Sequence, residues 1–127
     1  MTFEEYLKSH DINEPSVKKF GLSQNGNELV IPVVDQNGKF LYNKYRNLDF
    51  DKNNSESSKF RFDAGSKGTL FNSRVLKERK DYVVFCEGEI DCIRLDQEGV
   101  LAVSGTAGVS TLKDAWVKGF EVKTVFI

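Results

Sequence analysis

The stretch Tyr82-Val83-Val84-Phe85-Cys86-Glu87-Gly88-Glu89-Ile90-Asp91 constrains the fold of this chain more than any other. An apolar run ends in a carboxylate, then a glycine, then further carboxylates. That order predicts a buried strand, a tight turn at Gly88 and a helix start, with Glu87 at the carboxyl end of the strand. In open α/β sheets ligands bind outside the carboxyl ends of strands. Glycine at position 88 is expected to permit a turn that would strain other residues.

The pattern continues in kind. A helix is expected at about 89–97, ended by Gly99, then a strand from Val100 to Val103 and a loop Ser104-Gly105-Thr106-Ala107-Gly108. Ser110 caps a further helix ended by Gly119, and Val122–Ile127 forms a third strand. This β-α-β-α-β order builds a parallel sheet. The loop 104–108 lacks the Gly-Lys-Ser/Thr ending of a P-loop, so a plain strand-to-helix turn is preferred over a phosphate cradle.

The first 80 residues read differently. Thr2 and Glu5 form a capping box for a helix running to about His10. Asn13-Glu14-Pro15 opens a second helix and Gly21 closes it. Leu29–Val34 is a strand whose Pro32 places it at an edge or at a local break. Asp35-Gln36-Asn37-Gly38 turns the chain into a hairpin partner from Lys39 to Asn47. Residues 51–58 are a polar loop, Lys59–Phe62 alternates as a strand, and 64–68 is a glycine-bracketed loop. A short helix from about Ser73 to Lys80 then links the two parts. The expected fold class is therefore mixed α/β: a small α+β lobe over 1–80, followed by an α/β unit over 81–127.

Charge divides along the same boundary. The net charge is −1, but residues 39–80 carry eleven Lys/Arg against five Asp/Glu, and residues 81–127 carry four against eight. A basic middle beside an acidic end suits a protein that guides polyanions toward a metal site, but on charge alone a solvated, Lys-rich loop region is the preferred reading. No apolar run approaches the about 18 residues of a membrane span. The N-terminus is acidic and has no apolar signal core, so a cytoplasmic protein without a membrane partner is expected. Cys86 and Cys92 read as reduced, partly buried thiols. The one histidine, His10, is far from them, so no zinc site is expected in this chain.

Glu87 and Asp91 have two readings on spacing alone. Either they face a cleft as general acid/base or Mg²⁺ ligands, or Asp91 and Glu89 only favour a helix start. A resemblance bears on the choice. The segment Val83–Ile127 resembles the TOPRIM domain shared by bacterial-type primases, topoisomerases and certain nucleases. The motif positions are Glu87, Gly88, Asp91, Gly105 and Thr106. The family's Asp-x-Asp motif would follow the third strand, so the chain is expected to be a TOPRIM domain truncated before it. Residues 6–72 look like the N-terminal lobe of the catalytic region in bacterial primases and phage-type primase-helicases. The matching runs include Val17–Leu22, Leu29–Val33, Lys44-Tyr45-Arg46, Lys59 and Lys67–Asn72.

The resemblance implies a fragment of a DNA primase or primase-helicase, from a phage or plasmid. The whole protein would be a nucleotidyltransferase making RNA primers on single-stranded DNA during DNA replication. Its partners would be template and ribonucleoside triphosphates, with a replicative helicase fused or separate. Its cofactor would be Mg²⁺ or Mn²⁺. Glu87 would be the catalytic group, with Glu87 and Asp91 toward the metal, and the fragment would be inactive alone. Arg46, Lys59 and Lys67 would hold nucleic acid or nucleotide. Lys67 is the strongest basic candidate because glycines flank it, and Lys44 the weakest because it reads as pointing to solvent. Tyr45, Phe60 and Phe62 interleave with these cations and suit base stacking, but core packing is preferred for Phe60 and Phe62. The alternatives are a non-catalytic nucleic-acid-binding relic and, less favoured, a TOPRIM nuclease.

Overall fold

The computed structural model describes residues 1–54, 58–78, 81–106 and 124–126, the last three by their backbone alone. It is a mixed α/β fold of two four-stranded sheets. Two short helices come first, α1 (Phe3–Ser9) and α2 (Glu14–Phe20). Both start where the side-chain chemistry predicts. Thr2 Oγ1 accepts from the Glu5 N–H at 3.1 Å and Asn13 Oδ1 from the Ser16 N–H at 3.0 Å. Gly21 ends α2 in the left-handed region, at φ 67°.

The first sheet is antiparallel, with strands β1 (Ser23–Asn25), β2 (Glu28–Val34), β3 (Phe40–Asn47) and β4 (Phe60–Phe62) in sequence order. The β2–β3 turn is made by Asp35, whose Oδ1 accepts from the N–H groups of Asn37 and Lys39 at 2.8 and 3.0 Å. Gly38 supplies φ 84° there. The short strand β1 was not expected. It pairs with β2 only as far as Val30, so β2 is interior at one end and an edge by Pro32. The register breaks between Val33 and Val34.

The second sheet contains β5 (Leu70–Phe71), β6 (Tyr82–Cys86), β7 (Ala102–Gly105) and β8 (Thr124–Phe126), in the order β5-β7-β6-β8. Strands β7, β6 and β8 are parallel, as the β-α-β-α-β reading requires, and β6 is flanked by both. Helix α3 (Glu89–Gln97) joins β6 to β7. The expected helix 110–119 and the expected loop residues 107–108 lie outside the described residues.

Three boundaries shift. The link after β5 is a 3-10 turn at Ser73–Lys77. Strand β5 was not expected, and it pairs antiparallel with β7 through Leu70↔Gly105 and Phe71↔Ser104. Strand β7 begins later than expected because Val100 N–H still bonds the Leu95 carbonyl at 3.1 Å, closing the turn after α3. Ser104 and Gly105 are consequently strand residues, and Ser104 and Thr106 are fully buried.

One apolar cluster joins the two sheets. Leu29, Ile31, Val33 and Tyr42 of the first sheet pack with Phe71, Cys86 and Ala102 of the second and with Cys92 and Ile93 of α3. Tyr6, Ile12 and Phe20 from the helical segment close it. On the other face of the second sheet Leu70, Val83, Phe85 and Val103 pack with Val75 of the 3-10 turn.

Candidate functional site

The inner face of the first sheet changes character across its width. On β2 it carries Leu29, Ile31 and Val33, all fully buried. Directly across the ladder, Leu29 faces Arg46 and Ile31 faces Lys44 on β3. One strand further, Arg46 faces Phe60 and Lys44 faces Phe62 on β4. Residues opposite one another share a face, so this surface runs from apolar core to a mixed cationic and aromatic margin. Phe60 and Phe62 are each 37% exposed, which corrects the preference for core packing. Strand β4 is three residues long and lies at the sheet's outer side, where the core does not reach.

The opposite face of β3 and β4 is occupied internally. The Arg61 guanidinium lies 3.8 Å from the Tyr45 ring centroid and holds Glu28 through two bonds of 2.6 and 2.8 Å. Tyr45 Oη donates to Asp63 at 2.8 Å. Hydrogen bonds from the Asn43 N–H and then Tyr45 hold the Asp63 carboxyl below its ordinary range. Tyr45 is thus covered by Arg61 and is poorly placed for stacking on a ligand.

Lys44 does not point to solvent. Its side chain is 6% exposed, and Nζ donates to the Thr106 carbonyl at 2.6 Å and to Glu89 Oε1 at 3.0 Å. Glu89 Oε2 lies 2.8 Å from the same nitrogen but outside hydrogen-bonding geometry. Glu89 is itself 2% exposed, and burial pushes its carboxyl pKa up against the opposing pull of Lys44. Thr106 Oγ1 makes two further links, to Tyr42 Oη at 2.8 Å and from the Thr69 N–H at 3.1 Å. A buried polar strut therefore ties β3 to the start of α3 and to the end of β7. Nothing in the sequence reading had paired Lys44 with Glu89.

Above this strut lies a cleft of about 180 Å³. Tyr6, Arg46, Lys59 and Phe60 contribute to it from one side, and the turn Gly88–Asp91 from the other. The chain thus brings Arg46 and Lys59, which the sequence placed in the first lobe, together with Asp91, which it placed in the second. Arg46 is half-buried and its Nη1 donates to the Asn47 carbonyl at 2.7 Å. Lys59 and Asp91 are exposed. Gly88 is extended, at φ −146°, and a Cβ there would meet nothing within 4 Å. The expected strained turn is therefore absent, and the glycine leaves open space.

Glu87 is exposed at the end of β6 and does not line this cleft. Lys67 is exposed beside a separate cavity of about 570 Å³, formed by Leu41, Tyr42 and residues 63–69. Gly65, at φ 78°, shapes the loop that carries it. Among the described residues no group of three or more His, Cys, Asp or Glu side chains is placed to hold a metal ion. Glu87 and Asp91 nevertheless offer hard oxygen donors, which suit a magnesium ion held by one or two carboxylates plus phosphates. Cys86 and Cys92 are free, buried thiols. They interact, and this holds the Cys86 thiol pKa down while raising that of Cys92, whose Sγ donates to the Ala102 carbonyl at 3.1 Å.

No helix among the described residues is long and apolar enough to cross a membrane. No protein-family model matches the chain, and no curated protein sequence does. Solved structures do. The Escherichia coli primase catalytic core superposes with a TM-score of 0.67 at 19% identity, over 96% of this chain and 53% of that one. A DNA primase domain from Pseudomonas aeruginosa gives 0.70 at 17% identity, over 94% and 50%. A DnaG primase catalytic domain bound to single-stranded DNA gives 0.65 at 19%, over 96% and 53%. The chain thus spans about half the length of these structures. Over that half it has the mixed α/β fold of a primase catalytic core.

Proposed function

We propose that this chain is part of a DNA primase, and that its cleft between Arg46, Lys59 and the Gly88–Asp91 turn is where nucleic acid or nucleotide meets the catalytic end of β6. The observation that carries the reading is that convergence, on a fold shared with primase catalytic cores. Work divides along the chain. Residues 1–80 hold the polyanion through Arg46, Lys59 and Lys67, and residues 81–127 form a TOPRIM-type unit that bears Glu87 and Asp91. Lys44 supports the site from beneath rather than touching the strand, because its ammonium is already engaged.

Glu87 and Asp91 would hold Mg²⁺ or Mn²⁺, which would supply charge neutralisation at a transferring phosphoryl group. Glu87 orients the attacking hydroxyl or accepts its proton, and the cations neutralise and position phosphates without reading sequence. The whole protein joins ribonucleoside triphosphates into an RNA primer on single-stranded DNA, in the cytoplasm and in concert with a replicative helicase, fused or separate.

Anisotropy titrations with single-stranded DNA at several salt concentrations test the basic side. Arg46→Glu with Lys59→Glu is expected to weaken binding and to flatten the slope of log K against log salt by about 1.4, two phosphate contacts at about 0.7 each. Unchanged affinity and slope in this variant and in Lys67→Glu would sink the assignment. A second reading, a binding module without catalysis, draws on the lack of a three-member ligand cluster among the described residues. Calorimetric titration with Mn²⁺ separates the two: binding lost in Glu87→Gln favours the enzyme, and no binding by the natural chain favours the module.

A further inference from the structure

We infer that Phe60 and Phe62 form a stacking platform for the bases of a single strand whose phosphates are held by Arg46 and Lys59. The inference rests on the reading above and adds to it the part of the ligand that the cations leave unread. Two half-exposed phenylalanines on the outer strand of a sheet are a liability for a soluble protein, since such strands pair and aggregate. These two lie on the face that is core elsewhere in the same sheet; Phe60 lines the cleft, and Phe62 follows it two residues along the same strand face.

Their surroundings favour a base over other planar or apolar ligands. The Lys44 ammonium lies 4.2 Å from the Phe60 ring centroid and 5.3 Å from that of Phe62. The Arg46 guanidinium is 5.6 Å from Phe60, and so is the Lys59 ammonium. Tyr42 meets Phe62 edge-on at 6.2 Å. Three cations thus gather on two rings, and two of those cations line the cleft. A ligand that fits must be planar and apolar in one part and anionic in the next. A polynucleotide alternates these features at every unit, and base–aromatic contacts combine with backbone neutralisation wherever single strands are bound without sequence preference. Arg61, on the reverse face of the strand, is held by Glu28 and Tyr45 and does not compete for the strand.

The rings also roof the Lys44–Glu89 pair, so the test must separate stacking from cover. Two single strands of about 12 nucleotides are compared, one with bases and one abasic with the same phosphates, a length within the site sizes of single-strand binders. The natural chain is expected to prefer the base-bearing strand by about tenfold, the lower range of stacking contributions. Phe60→Leu with Phe62→Leu keeps an apolar roof and removes the flat rings. It is expected to abolish that preference while leaving abasic binding and the salt slope unchanged. Phe60→Tyr with Phe62→Tyr should restore it. Equal binding of both strands by the natural chain, or a preference that survives the leucine pair, overturns the platform. If the Arg46→Glu, Lys59→Glu variant still loses affinity in that case, the polyanion site stands without it. If neither that variant nor Lys67→Glu loses affinity, both readings fall.

Discussion

Lys44 and Glu89 meet where almost no water reaches, and among the described residues each is the other's only opposite charge at contact distance. Removing one partner strands the other, which costs about 3–5 kcal/mol, whereas replacing both with apolar groups of similar size is often close to neutral. Lys44→Met is therefore expected to lower the urea midpoint sharply at unchanged m, and Lys44→Met with Glu89→Leu to recover most of the loss. The acid–base sign is fixed by the raised Glu89 pKa. A carboxyl whose folded pKa exceeds its unfolded value favours the folded state below the unfolded value, about 4.5, and loses that contribution as pH rises through the folded one. Glu89→Gln should remove this falling component from the urea midpoint measured across that window. A steeper fall in the variant would contradict it. The pair was hidden in the sequence because charge normally reads as solvent-facing. Lys44 sits two residues from buried Tyr42, which marks the inward side of β3, but only the fold shows that a carboxylate waits there.

The helix ends were legible because caps are local chemistry. Asn13→Ala should cost about 1 kcal/mol for the lost bond to the Ser16 N–H, read as a shift in thermal midpoint. Gly21→Ala should cost about 1–2 kcal/mol through its left-handed backbone, although the added methyl would find ordinary contact with Pro32 at 3.5 Å. Gly88→Ala is the informative contrast. Its backbone is extended and its surroundings are empty, so stability should move by less than about 0.5 kcal/mol. Its methyl enters the lined cleft, so affinity for single-stranded DNA should fall severalfold. Unaltered affinity would show that the strand passes elsewhere. Strands β1 and β5 escaped the sequence reading because two or three residues carry no period, and their pairing comes from partners distant in the chain. The β6–α3 unit was legible because its apolar run and helix start are continuous.

At the scale of the molecule, the two halves read from the sequence share one core. Leu29, Ile31 and Val33 pack against Cys92, Ile93 and Ala102, and β5 belongs by sequence to the first stretch but by pairing to the second sheet. Unfolding by urea is therefore expected to be a single transition, coincident by far-ultraviolet circular dichroism and tyrosine fluorescence. Two separated midpoints would show that the halves melt independently. The basic surplus of residues 39–80 was plain in the sequence, but its division into a buried Lys44, a cleft-lining Arg46 and Lys59 and a remote Lys67 depended on the ladder register.

The placement of β5 bears on the order of assembly. In the first sheet each strand pairs with its successor, so short loops close as the chain emerges. In the second sheet β7 must insert between β5 and β6, and the Thr69–Thr106 link closes a separation of 37 residues. Non-local pairing of this kind slows folding, because the entropy of closing the loop is lost before the contact forms. The antiparallel sheet is thus the natural nucleus, and the edge between β5 and β7 is the last seam to close. Leu70→Ala should then speed unfolding while leaving the refolding rate nearly unchanged, whereas Ile31→Val should slow refolding.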